Sequence, residues 1–496
     1  MSDYLMIQPF AVQLRRILKE YEANGSIFGI HKSFFYTPKP DAPMPGIAFA
    51  VPNVYGKYLA TPIGPSAGPH TQLSQNIISA WLCGGRFIEL KTVQILDELE
   101  IPRPCIDMED EGYNVEWSQE LKLEESAHEY VVAWAILHLL PRILGWDGRD
   151  GVTPPVGAQS VGAHSMGAIF DMSVGYNLEG IQSPRVVNFM NKMENAAEEV
   201  AQIKAILRRD FPQFADIEIP DSIANSITLS TMHGCPPDEI ERITEYLLTE
   251  RKLHTIVKMN PTLLGKEQVL DILHNALGFK EIYIPDSVFE HDIAYDKAVG
   301  LISRMQAVAA QQGLAFGVKL SNTLAMHNHK QVMPGDEMYM SGRALYPVTM
   351  NLFNKLAHEF DGNLRVSYSA GADALNVATI ASCGPVPITA CSDLLKPGGY
   401  ARFSQWLDNL GAAMAAAGAT SLEAFSANKL ENLKAAAAAA LTDHRWKKEY
   451  VPYGLPKVRS GLGLWDCIVA PCMEQCAVCQ DVPEYNWWIK EGDPDK

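Results

Sequence analysis

Four cysteines crowd into thirteen residues near the C-terminal end of the sequence, Cys467, Cys472, Cys476 and Cys479, in DCIVAPCMEQCAVCQDVPEY. Thiolates spaced C-x4-C-x3-C-x2-C can close around one metal centre, with structural zinc and an iron–sulfur cluster as the candidates. Zinc ribbons separate two C-x2-C pairs by a longer loop, so ligands packed this tightly suit a cuboidal [4Fe-4S] cluster better. The other five cysteines (Cys83, Cys105, Cys235, Cys383, Cys391) are scattered along the chain. That is not the pattern of a disulfide framework, and it points to a reducing, cytoplasmic setting.

A second kind of chemistry lies in Leu364 to Tyr400. Two β-like runs, Arg365 to Ser369 and Val386 to Ala390, end in Ala370-Gly371-Ala372 and Thr389-Ala390-Cys391. Adjacent strands ending in small residues offer backbone N–H groups side by side, which is a phosphate cradle. In a parallel barrel the loops after strands 7 and 8 are the usual place for one. The plainer alternative is two buried strands with small residues for packing. Lys91 ends FIELK, Lys258 stands in TIVKMNP, and Asn322-Thr323 follow KLS, all at the C-terminal ends of strand-like runs. An inward lysine there is costly unless it meets an anion or an electron-rich ring, and the competing reading is a solvated strand end. Cys235 precedes Pro236 and Pro237 at an expected helix start, where the dipole would lower a thiol pKa and equip it for proton transfer. A small buried hydrophobe is the alternative there. His233 is a weaker second acid–base candidate, and His327 and His329 read as surface or hydrogen-bonding groups rather than metal ligands.

These residues need a scaffold with many strand ends on one side. Strand-like runs fall at Leu59–Gly64, Phe87–Lys91, Ile169–Tyr176, Ser226–Ser230, Thr255–Asn260, Ala315–Asn322, Leu364–Ser369 and Val386–Ala390. Helical periodicity fills the gaps, most clearly from Pro184 to Arg208, with Ser183 as N-cap. Eight strands alternating with helices predict an α/β (β/α)8 TIM barrel enlarged by insertions, the largest being Pro102 to Ala163. An open doubly wound sheet is the runner-up, weakened by the lack of G-x-G-x-x-G at the first strand–helix junction. The expected division is an N-terminal helical arm over 1–58, the barrel over 59–418, a helical linker over 419–460 containing six alanines, and the start of a cluster-binding domain over 461–496.

The chain has 496 residues, 47% hydrophobic and 20% charged, which suits a large domain plus an appendage. Its net charge of −17, from 41 Lys and Arg against 58 Asp and Glu, argues against nucleic acid or an anionic membrane surface as partner. Neither a signal peptide nor a membrane span is legible; the longest apolar run, Val131 to Leu140, stops at Pro141.

In this order the pieces resemble the FMN barrels of the dihydroorotate and dihydropyrimidine dehydrogenase class. The matching residues are Ala67-Gly68-Pro69, Lys91-Thr92-Val93, Leu229-Ser230 with Cys235-Pro236, Lys258 with Asn260-Pro261, Asn322-Thr323 and the paired phosphate loops. The cysteine segment resembles the one that begins glutamate synthase small-subunit-type modules. STMHGCPPDEIE and APCMEQC resemble the YgfK-type family, labelled a selenate reductase subunit, over essentially the whole chain. That resemblance implies FMN with its phosphate at Gly371, Thr389 and Ala390, and its ring near Lys91, Lys258, Ala67 and Gly68. It implies Cys235 as proton donor or acceptor and Asn322 and Thr323 as groups orienting a planar, amide-like substrate. It also implies FAD and NAD(P)H on a downstream module or partner redox subunit. Two departures stand out: TMHG separates Ser230 from Cys235, and Leu464 occupies the place of the usual first cluster cysteine. The chain is therefore expected to be the N-terminal part of a longer polypeptide, or to have its cluster completed by a partner. A dihydropyrimidine dehydrogenase-like enzyme acting on a pyrimidine- or purine-derived ring is the alternative function. A barrel scaffold with structural zinc is the alternative from another class.

Overall fold

Short runs rich in Ile, Val, Phe and Leu, apolar on both faces, belong to parallel strands covered by helices. The computed structural model describes residues 6–36, 47–96, 105–109, 113–114, 121–146, 167–230, 235–331 and 333–450. Eight such runs form one parallel sheet: β1 (Ile63–Pro65), β2 (Phe87–Glu89), β3 (Ile169–Val174), β4 (Ala224–Ser230), β5 (His254–Met259), β6 (Phe316–Leu320), β7 (Val366–Tyr368) and β8 (Ile388–Ala390). Their order is β1-β8-β7-β6-β5-β4-β3-β2. The Arg86 amide, just before β2, donates to Ile63 O on β1 at 2.8 Å, so the sheet's two ends meet and the strands wrap into a barrel.

Closure puts β1 and β2 so near each other that a side chain on Gly64 has no room. A Cβ there would lie 1.7 Å from the Phe87 carbonyl oxygen. On either side the barrel is lagged by helices, among them Ser74–Leu82, Pro237–Thr249, Tyr295–Gln311 and Leu345–Glu359.

Seven of the eight expected strands fall where the sequence places them, with ends shifted by up to two residues. The first does not. Lys57–Leu59 pairs antiparallel with Val51–Val54 in a hairpin, and the barrel strand starts only at Ile63. Val54, Tyr55 and Leu59 of this hairpin pack on Phe87, Ile169 and Ile256. The apolar pattern of a short hairpin strand is the same as that of a barrel strand, so periodicity could not separate them. The single helix expected from Pro184 to Arg208 is two, Pro184–Glu194 and Ala197–Asp210. Asn195 between them is extended, and the Ala196 amide donates out of the helix to Asp221 O at 2.8 Å. Ser183 caps the first of the two, its side chain accepting from the Val186 amide.

Two excursions at the C-terminal ends of barrel strands join into a small four-stranded sheet. Leu324–His327 and Glu337–Met340 come from beyond β6, and Ile106–Asp107 and Tyr113–Asn114 from beyond β2. The same insertion supplies the 21-residue helix Leu123–Ile143, buried along nearly its whole length. The alanine-rich run lies in helix Lys429–Thr442, where Leu433, Ala436, Ala437 and Ala440 are buried and Asn351 Nδ2 donates to Ala437 O at 3.3 Å. Among the described residues no helix is long and apolar enough to cross a membrane.

Gly64→Ala should therefore break the closure rather than merely loosen it. A loss of about 3 kcal/mol or more in urea unfolding, or insoluble protein, is the expected outcome; an unchanged unfolding midpoint would mean that β1 and β2 can separate at little cost.

Candidate active site at the barrel mouth

Charged residues stand inside otherwise apolar strands. Glu89 on β2 and Lys319 on β6 are 1% and 2% exposed, and they form an ion pair through Oε2 and Nζ. In the sheet order these strands lie opposite each other, so the pair spans the barrel interior. Lys319 Nζ also donates to Ser66 Oγ at 2.8 Å, and Ser66 Oγ lies 3.0 Å from Ser369 Oγ and 3.1 Å from Thr389 Oγ1. Asp171 on β3 stands in register with Glu89 and accepts from Ser226 Oγ and Thr228 Oγ1, both at 2.6 Å. Burial pushes its carboxyl up to about 7, against the pull of those two hydroxyls, with Glu89 adding to the rise.

At and just beyond this layer lie the lysines the sequence singled out. Lys91 is buried just past β2. Lys258 on β5 is the register partner of Lys319 on β6, so two lysines stand side by side facing the same space. Burial lowers Lys258 to about 8, with Glu89 opposing the shift and Lys319 reinforcing it. Asn322 follows β6; its amide nitrogen donates to Asn260 Oδ1 at 3.0 Å, and Asn260 Nδ2 donates to Asp292 Oδ1 at 2.9 Å. Thr262 Oγ1 holds the other oxygen of Asp292 at 2.6 Å. The Asn322 side chain is thereby oriented from behind, while its own Oδ1 accepts from the Thr323 amide at 3.0 Å.

The loops after β7 and β8 are less simple than a cradle of small residues. Ala370 and Gly371 both have positive φ, 51° and 71°. A Cβ on Gly371 would meet Gly342 O at 2.5 Å, so glycine is needed there for a close backbone crossing. The Asp373 carboxylate already accepts from the Leu375 and Asn376 amides. Thr389 turns its hydroxyl into the barrel, and Ala390 O accepts from the Ser66 amide at 2.8 Å. Just beyond, buried Asp393 is held by Arg402 at 2.7 Å and Trp406 Nε1 at 2.8 Å. Ala67 and Gly68 follow β1, and a Cβ on Gly68 would meet His70 Cε1 at 2.5 Å and Cys391 Sγ at 3.4 Å. Cys391 Sγ lies 3.8 Å from His70 Nδ1, and His70 Nε2 is buried without a hydrogen-bond partner.

Cys235 reverses its expectation. Its thiol is pushed up to about 11, by burial first and then by Glu239 and Asp238 in the first turn of the helix it precedes. Burial and the two carboxylates at that helix start act together against the thiolate. His233 and Cys467, Cys472, Cys476 and Cys479 lie outside the described residues.

The mouth thus brings together Lys91, Lys258, Asn322, Thr323, Gly68, Gly371, Thr389 and Ala390. To these it adds residues the sequence did not single out, Glu89, Asp171, Lys319 and His70, and the thiol of Cys391, which the sequence reading used only for its backbone. The signal for the first three was present, since FIELK, IFDMSV and FGVKL each carry one charge inside an apolar strand. No such signal marks His70 or Cys391, which meet only because β1 and β8 are neighbours. The donor set fits FMN: three lysines share this space with one paired glutamate and a carboxyl whose charged form is disfavoured by burial, which favours an electron-rich or anionic ring.

Fold and mouth together define a closed (β/α)8 barrel with charged groups gathered inside it and at the C-terminal ends of its strands. Residues 28–448 match the family "Oxidoreductase YgfK, N-terminal TIM-barrel domain", and the chain belongs to that family. It is 43% identical over 504 residues to proteins named "Putative oxidoreductase YgfK" from Escherichia coli K12 and from Escherichia coli O157:H7. The match covers 98% of this chain and 46% of each of those proteins, so the chain spans about half the length of the curated relatives it matches. Among solved structures it is similar to ligand-free dihydroorotate dehydrogenase from Eimeria tenella, with 14% identity, a TM-score of 0.43, and 83% of this chain and 96% of that one covered.

Asp171 makes stability depend on pH in a definite direction. Its value is raised in the folded chain, so between about pH 4 and 7 the unfolded chain releases the proton first, and stability falls as pH rises. The contribution approaches about 1.4 kcal/mol per pH unit in that window. Asp171→Asn should abolish this component in urea unfolding at pH 5 and pH 6.5; equal slopes in both proteins would show that the carboxyl is ionised in the folded state.

Proposed function

We propose that this chain is the barrel component of a flavin and iron–sulfur oxidoreductase, with FMN and substrate meeting at the barrel mouth. The observation that carries this is the cluster of inward lysines beside a pre-oriented Asn322, in a chain of an oxidoreductase family. FMN, when bound, supplies hydride acceptance or donation at its ring. Lys91 and Lys258 hold the ring, and backbone amides around Gly371, Thr389 and Ala390 hold the phosphate. Asn322 and Thr323 orient a planar amide-bearing substrate, with Asn260 and Asp292 locking the Asn322 rotamer. Cys235 stays a thiol at neutral pH, because burial and its acidic neighbours disfavour the thiolate. It is therefore better suited to give a proton during ring reduction than to take one during oxidation.

Beyond the barrel, Cys467, Cys472, Cys476 and Cys479 bind a [4Fe-4S] cluster in this proposal. A cluster held by these cysteines would supply one-electron chemistry linking the barrel to FAD and NAD(P)H on a downstream module or a partner redox subunit. For the substrate, a pyrimidine- or purine-derived ring suits the amide-orienting Asn322 better than selenate, which has no carbon to protonate.

Purification under anaerobic conditions, with the visible spectrum, iron and zinc measured on one sample, tests the cofactors. Flavin bands over a broad iron–sulfur absorbance are expected; a colourless protein with one zinc per chain would leave a scaffold instead. Asn322→Ala should lower the rate of ring reduction about 100-fold while FMN stays bound. Cys235→Ser should lower the same rate by about 100-fold or more. Selenate reduction that survives both substitutions would place that reaction elsewhere.

A further inference from the structure

Lys258 and Lys319 are register partners on adjacent strands, and two like charges set side by side are unfavourable. One carboxylate eases the conflict, and it comes from the opposite wall: Glu89 forms an ion pair with Lys319 and also bears on Lys258. Lys319 is further tied to Ser66, so its ammonium is fixed below the mouth. The other oxygen of Glu89, Oε1, is buried without a hydrogen-bond partner. Lys258, partly exposed, is the member of this trio that an occupant of the mouth can reach.

We propose that the Glu89–Lys319 pair is a charge-setting element, deciding whether Lys258 meets the occupant of the mouth as an ammonium or as an amine. Neither residue need touch the occupant; both are positioning residues acting through Lys258. The groups bearing on Lys258 come from every side: Glu89 on β2, Lys319 on β6 and Cys391 beyond β8. Lys91, past β2, bears on Cys391 and His70 in the same space. Glu89 favours the ammonium and Lys319 the amine, in line with a midpoint lowered to about 8. An electron-rich or anionic ring therefore meets a full positive charge below that pH and loses it above. The proposal rests on the mouth being the binding site, but its primary test does not require a flavin.

That test is pH-dependent amine acylation of the flavin-free chain, with modification of Lys258 followed by mass spectrometry and exposed Lys434 as internal reference. In the unaltered protein Lys258 should become reactive with a midpoint near 8, well below the ordinary lysine value of 10.5. Glu89→Gln should move the midpoint down by about one pH unit and Lys319→Met up by about one. Opposite shifts are the signature, since general loosening would move both variants the same way. Shifts of one sign, no shift, or a wild-type midpoint equal to that of Lys434 would overturn the proposal, and the last comparison needs no variant to fold. FMN affinity of the flavin-free wild type should weaken as pH rises through the Lys258 midpoint. A flat affinity profile would remove the binding consequence, whereas FMN failing to bind at any pH would sink the flavin assignment and leave the acylation result standing.

Discussion

An ion pair across the inside of a closed barrel is the constraint around which this structure is arranged. Removing Glu89 and Lys319 from water costs several kcal/mol per ion before attraction and hydrogen bonds offset it. Apolar residues of similar volume at the two positions would fold at least as well, as replacements of buried pairs often do. The pair is thus weak evidence for stability, and its presence inside the barrel is better accounted for by the charged residues beside it at the mouth. It can exist only if β2 and β6 are held across a barrel that stays shut. Shutting depends in turn on Gly64, where β1 crosses β2 at a distance no side chain permits.

From that pair the polar order spreads outward in layers. Ser66, Ser369 and Thr389 bring β1, β7 and β8 into contact with the Lys319 ammonium through hydroxyls that can each donate and accept. Asp171 sits beside Glu89 with each of its oxygens held by a hydroxyl and with burial favouring its protonated form. At the mouth the hydrogen-bond chain from Asp292 through Asn260 to Asn322 does a similar job without charge. A side chain held from behind in this way meets a ligand with little rotamer entropy left to lose.

Much of the scaffold was legible because barrel strands are apolar on both faces and are punctuated by capped helices. Seven strands and the Ser183 cap follow from those local rules. The errors came where local pattern is degenerate. Leu59 and Ile63 belong to equally apolar runs, and only the hairpin contacts of Val54 and Tyr55 with Phe87 tell which one enters the barrel. At Asn195 the helix breaks to satisfy Asp221, a residue 26 positions further along the chain.

Residue types and spacing alone determined that this chain carries strand-end lysines, an Asn-Thr pair beyond the sixth strand, small residues after the last two strands and a terminal cysteine cluster. They also determined the barrel class, since alternating strands and helices of these lengths have few other ways to bury their apolar faces. Only tertiary structure decided what those residues confront. Lys258 became a neighbour of Lys319 through parallel register, Glu89 reached it from the opposite wall, and His70 met Cys391 because the first and last strands adjoin. The Cys235 thiol was likewise decided first by its burial in the fold, with the Glu239 and Asp238 carboxylates adding to the rise. Long-range electrostatics of this kind depends on distances through a low-dielectric interior, and sequence spacing does not encode those distances.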